Sequence, residues 1–207
     1  MQKLILKKYN KMLNLPIQPR YILPPLLLIL FSTIFAAFDL NNLLEFNRTL
    51  VNKGEFWRIF TSQFVHANWA HLGLNISGIF LIWLLHGEYT TPTRYFLNTI
   101  TLALWCGLGV YFYCPDIHIY TGLSALLHGV IIWGAVKDIT QGLKSGYLLF
   151  IGVWVKIAYE RLSGPSADIG ELINSTVAID AHLIGAIGGS LLGIELVIKY
   201  YKNRAKG

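Results

Sequence analysis

Residues 180–189 read Asp-Ala-His-Leu-Ile-Gly-Ala-Ile-Gly-Gly and place a histidine inside an apolar segment that is rich in glycine. Gly185 and Gly189 follow His182 by three and seven residues, so on a helix all three lie on one face. Small residues four apart allow two membrane helices to approach closely. Ionisable residues within hydrocarbon are costly and mark functional sites. The stretch therefore predicts a tightly packed transmembrane helix that carries a functional histidine.

The composition is that of a membrane protein. Of 207 residues, 54% are hydrophobic and 14% are charged, whereas about 25% charged residues are usual in soluble domains. The net charge is +6, but the basic residues flank apolar runs, which indicates orientation in a lipid bilayer rather than nucleic-acid binding. The first apolar run resembles a retained span rather than a cleaved signal peptide.

The apolar runs predict an all-α membrane protein, a bundle of six transmembrane helices, since roughly 20 residues cross a bilayer. The six predicted helices cover residues 21–38, 69–86, 95–113, 123–138, 145–160 and 177–198. No linker divides the chain, so we expect one membrane domain over 1–207. It would comprise a cytoplasmic segment 1–20, a six-helix core 21–198 and a basic cytoplasmic tail 199–207. The aromatic connection 39–68 is expected to lie in the membrane interface.

The basic residues predict the orientation of the bundle. With the N-terminus in the cytoplasm, about twelve lysines and arginines fall on the cytoplasmic side and five on the outer side. The second, fourth and sixth helices then begin at the outer face. Their polar residues His71, Asn75, Ser124 and His182 all lie within the first turns of these helices. Three separate segments would thus deliver polar groups to one depth, just inside the outer face.

These residue types suit nucleophilic catalysis. A serine hydroxyl is a weak nucleophile that needs a nearby base, and histidine is the usual base near neutral pH. Ser124 follows Gly122 near a helix start, and the small residues of its helix match the glycines after His182, so contact between the two helices would form a Ser–His dyad. His128 lies four residues after Ser124, on the same face, where it could pack against His182.

Two further residues could stabilise the oxyanion that acyl transfer produces. His71 and Asn75 are four apart, hence on one helix face, and both can donate hydrogen bonds. His66 precedes this helix and is expected to hold the connection 39–68 by hydrogen bonds. A third triad member is not evident, because Asp180 is only two residues from His182 and points elsewhere on a helix.

Four motifs in order resemble the rhomboid family of intramembrane serine proteases over about residues 20–200. They are Trp57-Arg58, the series His66-x4-His71-x3-Asn75, Gly122-Leu123-Ser124, and Ala181-His182 followed by Gly185 and Gly189. The resemblance implies that Ser124 is the nucleophile and His182 the base. It also implies that His71, Asn75 and the Ser124 backbone N–H form the oxyanion hole, while Arg58 pins the first loop.

The resemblance implies cleavage of a membrane-anchored protein near the outer membrane face, without a metal or other cofactor. The partners are then the substrate and the lipid bilayer, and the location is a bacterial inner membrane with the site toward the periplasm.

The chain departs from the family pattern at two positions. They are Ala125, where the family often has glycine, and His128, where many members have tyrosine. The compact size and Leu-His-Gly after the serine motif resemble the rhombosortase subgroup, which processes Gly-Gly C-terminal membrane anchors.

Two alternatives remain open from the sequence. One is an inactive rhomboid relative that binds membrane clients, although that class usually lacks the serine or the histidine. The other is a metal-dependent membrane hydrolase, because neutral imidazoles are good zinc ligands. It would use His66, His71, His128 and His182. The His-Glu-x-x-His signature is missing, however, and no carboxylate is evident in the cavity.

Overall fold

A computed structural model describes residues 15–205. The predicted cytoplasmic segment 1–20 lies mostly outside the described residues. So do five of the lysines that predict the orientation: Lys3, Lys7, Lys8, Lys11 and Lys206.

The described chain is almost entirely helical. In chain order its α-helices are α1 (Pro19–Ala37), α2 (Asn41–Leu44), α3 (Arg48–Asn52), α4 (Trp57–Thr61), α5 (Trp69–His86), α6 (Pro92–Tyr113), α7 (Ser124–Thr140), α8 (Lys144–Ser163), α9 (Ala167–Ile173) and α10 (Ile179–Arg204). Two short 3-10 turns cover Ser62–Phe64 and Gly87–Tyr89. Two strands of two residues each, β1 (Phe46–Asn47) and β2 (Ile119–Tyr120), pair antiparallel.

Six long helices occupy the six predicted segments, and four of them are long and apolar enough to cross a membrane. Within residues 15–205, these four candidate spans are Pro19–Ala37, Trp69–Tyr89, Pro92–Tyr113 and Ile179–Arg204. The protein is therefore an all-α integral membrane protein. Three predicted ends were wrong by three or more residues. Helix α6 begins at Pro92, because the Thr91 side chain caps it. Helix α8 continues to Ser163 and α10 to Arg204.

Helix α7 lies at the centre of the bundle and packs most extensively against α10 and α8. About half of its 17 residues are buried. The contact with α10 is made by glycines, because a Cβ on Gly185 would overlap the Ala125 carbonyl oxygen and one on Gly189 would overlap the Gly129 carbonyl oxygen. The two backbones therefore touch directly, which brings the start of α7 beside the start of α10.

The connection 39–68 folds onto the end of the bundle where α7 begins. Strand β1 pairs with β2, so that Phe46 lies opposite Tyr120, just before α7. Phe46, Val51 and Ile59 are buried in one apolar cluster with residues of α6, α7 and α10. Arg48 donates hydrogen bonds to carbonyl oxygens at the end of α6, where helix acceptors lack partners. The connection thus fixes the segment that leads into Ser124.

Candidate active site

Ser124 and His182 meet where two central helices begin. Ser124 is the first residue of α7 and His182 lies in the first turn of α10. The Ser124 Oγ and the His182 Nε2 are 3.0 Å apart, a normal hydrogen-bond distance. His182 is buried, with 5% of its surface exposed. The serine hydroxyl can therefore donate to a histidine that is largely shielded from water.

The turn before Ser124 requires glycine for two reasons. Gly122 has φ +111°, in the region that other residues rarely adopt. A Cβ at this position would lie 2.6 Å from His71 Nε2. The Gly122 N–H donates to the Ser62 carbonyl oxygen at 3.0 Å, and its own carbonyl oxygen accepts from the Tyr120 hydroxyl at 3.0 Å. The turn is thus anchored to the connection 39–68 and lies directly against His71.

His71 and Asn75 lie on one face of α5 and are both buried. Asn68 caps the start of this helix, because its side-chain oxygen accepts a hydrogen bond from the His71 backbone N–H at 2.8 Å. The Asn75 Nδ2 donates to the His71 carbonyl oxygen at 3.2 Å. Both side chains line a cavity of about 480 Å³ that Ser124 and His182 also line. The structure thus brings the two expected oxyanion donors to the same cavity as the serine.

His128 stacks on His182, with ring centroids 4.3 Å apart and an interplanar angle of 20°. Its Nδ1 lies 2.7 Å from the Ser124 carbonyl oxygen. Because a carbonyl can only accept, this ring nitrogen carries the proton. The imidazole therefore occupies the predicted place beside His182 and is also hydrogen-bonded to the first turn of its own helix.

His66 is buried edge-on against His71, with ring centroids 5.1 Å apart. Its backbone carbonyl oxygen, rather than its ring, accepts from the Asn41 side chain at 2.7 Å and so holds the connection 39–68. Burial and, to a smaller extent, the neighbouring His71 imidazole together lower the pKa of His66 to about 3. His66 is therefore neutral near pH 7 and lies behind His71.

Trp57 and Arg58 stabilise the connection 39–68 by donating hydrogen bonds to backbone carbonyl oxygens within it. Arg58 is 3% exposed, and its guanidinium donates to the carbonyl oxygens of Glu45 and Asn42, each at 2.9 Å. The Trp57 indole N–H donates to the Leu43 carbonyl oxygen at 3.2 Å, while its ring stays half-exposed. An exposed tryptophan at this position suits the membrane interface.

Glu160 is the site residue that sequence reasoning missed. Its Oε2 lies 3.1 Å from His182 Nδ1, the ring nitrogen that faces away from the serine. No carboxylate was evident in the cavity from the sequence, and the structure places Glu160 there. Asp180 does point elsewhere, as expected, because it forms an ion pair with Arg161. The signal in the sequence was Lys156 and Glu160, two opposite charges four residues apart in the fifth apolar run.

The site also contains a group that could hold a metal ion. One ligand atom each from His128, Glu160 and His182 lie within 4.8 Å of one another. This group shares only two of the four histidines expected for a metal hydrolase, because His66 and His71 are not in it. The Lys156 ammonium contacts His128 Nε2 at 3.0 Å and Glu160 Oε1 at 2.7 Å. A bound cation would have to compete with that ammonium for both ligands.

The rhomboid-domain family model matches residues 53–199. The match begins within the connection 39–68 and ends in α10, so it contains the residues that line the cavity beside Ser124 and His182. No curated protein sequence matches the chain. Since the family model covers well over half of the 207 residues, the chain belongs to the rhomboid family.

Proposed function

We propose that this chain is a serine intramembrane protease in which Ser124 is the nucleophile and His182 the general base. The observation that carries the proposal is the 3.0 Å distance between Ser124 Oγ and His182 Nε2, beside a cavity of about 480 Å³. Membership of the rhomboid family supports the same chemistry. An activated serine and a base within hydrogen-bond reach are the two requirements of covalent acyl transfer.

The reaction then runs in two steps. The Ser124 oxygen attacks the scissile carbonyl carbon while His182 Nε2 takes the hydroxyl proton. His182 returns that proton to the leaving amine as the C–N bond breaks, which leaves an acyl ester on Ser124. In the second step water attacks the ester while His182 Nε2 accepts a water proton. His182 then gives this proton to the Ser124 oxygen as the ester bond breaks, which restores the serine hydroxyl and releases the new carboxyl group.

The oxyanion of each tetrahedral intermediate is stabilised by three donors in this proposal. They are the side chains of His71 and Asn75 and the backbone N–H of Ser124. The N–H groups of a first helical turn lack helix acceptors and carry the positive end of the helix dipole. As the first residue of α7, Ser124 provides such a group next to its own hydroxyl. Gly122 allows His71 to approach this point without a steric clash.

The proposed substrate is a membrane-anchored protein that is cut near the outer end of its anchor. In this arrangement all six long helices cross the bacterial inner membrane, both termini are cytoplasmic, and the core of a single domain covers residues 21–198. The starts of α5, α7 and α10 then lie together toward the periplasm. The exposed aromatic rings of Phe56 and Trp57 would lie in the outer interface.

A Gly-Gly C-terminal anchor of the rhombosortase type is the substrate that the site would suit. A helical peptide protects its own backbone by hydrogen bonds, so a cleavable segment must unwind. Glycine destabilises a helix by about 1 kcal/mol relative to alanine. A pair of glycines at the start of an anchor would thus lower the cost of placing an extended strand beside Ser124.

The test is co-expression with a Gly-Gly-anchored protein and with its Ala-Ala variant. We expect loss of the anchor from the Gly-Gly protein alone, and no processing by Ser124→Ala. Equal processing of both would contradict the glycine requirement. Full processing by Ser124→Ala would contradict the serine mechanism.

A metal-dependent hydrolase is the second candidate, favoured by the group of His128, Glu160 and His182. Activity that disappears with 1,10-phenanthroline and returns with zinc would establish it. Activity that resists the chelator while a fluorophosphonate abolishes it would establish the serine protease. An inactive relative that only binds membrane clients would co-purify with the anchored protein. It would leave that protein uncut with or without the chelator, zinc or the fluorophosphonate.

A further inference from the structure

We propose that Glu160 completes a Ser124–His182–Glu160 triad, as a positioning residue that orients His182. The inference rests on the proposed serine mechanism and deepens it. Two contacts carry it: His182 Nε2 lies 3.0 Å from Ser124 Oγ, and His182 Nδ1 lies 3.1 Å from Glu160 Oε2. The imidazole is thus held at both nitrogens, between the nucleophile and a carboxylate.

Glu160 determines which ring nitrogen of His182 carries the proton. An ionised carboxylate can only accept hydrogen bonds, so the proton must be on His182 Nδ1. The lone pair of Nε2 then points at the Ser124 hydroxyl, as a general base requires. In the other tautomer Nε2 would carry the proton and could not accept one from the serine. Glu160 therefore selects the productive tautomer.

Lys156 holds the carboxylate in place. Its ammonium donates to Glu160 Oε1 at 2.7 Å, which leaves Oε2 for His182. The same ammonium lies 3.0 Å from His128 Nε2, which must accept because an ammonium has no lone pair. His128 Nδ1–H then donates to the Ser124 carbonyl oxygen. Every donor in this network faces an acceptor, so a single protonation pattern satisfies all of these contacts.

The carboxylate also meets an electrostatic need of the reaction. When His182 takes the serine proton it becomes an imidazolium in a site where it is 5% exposed. A buried charge without a partner is costly. The Glu160 side chain is 16% exposed, so water screens its attraction for the imidazolium only in part. Glu160 thus supplies a countercharge where the positive charge develops.

Glu195 provides a matched control. Both glutamates lie on long helices, and each forms an ion pair with a lysine four residues away, Lys156 for Glu160 and Lys199 for Glu195. Glu195 lies thirteen residues beyond His182 on α10, about 20 Å along the helix. Glu195→Gln therefore removes the same charge and the same kind of pair without reaching the site.

The experiment measures inactivation of the full-length protein by a fluorophosphonate, so it does not depend on a natural substrate. We expect Glu160→Gln to lower the limiting rate of serine modification at least about 100-fold. The probe concentration that gives half the limiting rate should stay unchanged, as should the thermal midpoint in detergent. Glu160→Asp should recover part of the rate, and formate should recover part of the rate of Glu160→Ala. Glu195→Gln should react at the wild-type rate.

Three results would overturn the inference while the serine mechanism stands. They are a wild-type limiting rate in Glu160→Gln, equal losses in Glu160→Gln and Glu195→Gln, or a loss that follows only the folded fraction of the protein. Failure of the serine mechanism is distinguishable, because the wild-type protein itself would then not be modified at Ser124. That result would overturn both proposals together.

Discussion

At the scale of single residues, Asn75 tests the oxyanion hole. We expect Asn75→Ala to lower the rate of substrate cleavage about 100- to 1000-fold, because one hydrogen bond to the developing negative charge is lost. The protein should still react with a fluorophosphonate, since Ser124 and His182 remain. The rate of anchor cleavage in detergent or liposomes measures the loss. Asn98→Ala is the control, since Asn98 is also a buried asparagine on a long helix but lines a different cavity. A wild-type rate in Asn75→Ala would exclude Asn75 as a required donor.

His66 makes the stability of the protein depend on pH. Its pKa is about 3 in the folded protein and near 6.5 when unfolded, so the unfolded state binds the proton more readily. Its contribution to stability is complete above pH 6.5 and is lost as the pH falls toward 3. At about pH 5 the loss is roughly 2 kcal/mol. We expect the thermal midpoint of the wild-type protein to fall more between neutral pH and about pH 5 than that of His66→Gln. Equal falls would contradict this role.

The principal residues of the site could be predicted from the sequence, but Glu160 could not. Ser124, His182, His71 and Asn75 are polar groups in apolar runs, and such groups stand out because lipid disfavours them. Lys156 and Glu160 are four apart, which equally describes an exposed ion pair on any helix. Whether that pair faces lipid, water or His182 depends on how α8 is rotated against α7 and α10. The rotation of α8 depends on how the three helices pack together, which the local sequence pattern does not predict.

At the scale of elements, the glycines of α10 determine how closely it approaches α7. We expect Gly185→Leu to inactivate the protein although both Ser124 and His182 remain, because its side chain would occupy the space of the Ala125 backbone. Gly152→Leu is the matched control, since Gly152 lies within α8 with open space where a Cβ would be. Fluorophosphonate labelling of both variants, corrected for folded protein, measures the effect. An active Gly185→Leu protein would contradict the packing account.

The helices could be predicted from apolar runs, whereas the small elements could not. Strands β1 and β2 have two residues each, too few for an alternating pattern to be recognised. Their pairing joins residues more than 70 positions apart, so it depends on the bundle having formed. Helix α7 is only 17 residues long, but neighbouring helices cover much of it, so it needs less apolar length of its own than a helix that faces lipid.

At the scale of the whole molecule, the proposed orientation can be tested by thiol labelling. Cys106 and Cys114 are both buried and free, and replacing them with alanine gives a background without cysteine. We expect a membrane-impermeant maleimide to modify Lys53→Cys in intact cells, because the connection 39–68 would face the periplasm. Lys202→Cys should react only after the membrane is opened. The reverse pattern would invert the orientation and move the site to the cytoplasmic face.

Whether Ser124 is the nucleophile can be measured from the position of the fluorophosphonate adduct, found by mass spectrometry of peptides from the labelled full-length protein. We expect one adduct, on Ser124, that is absent from Ser124→Ala and strongly reduced in His182→Ala. Both variants should keep the wild-type elution volume in detergent, which separates loss of chemistry from loss of fold. An unmodified Ser124, or an adduct on another residue that persists in Ser124→Ala, would contradict the claim that this rhomboid protein is a serine protease acting through Ser124.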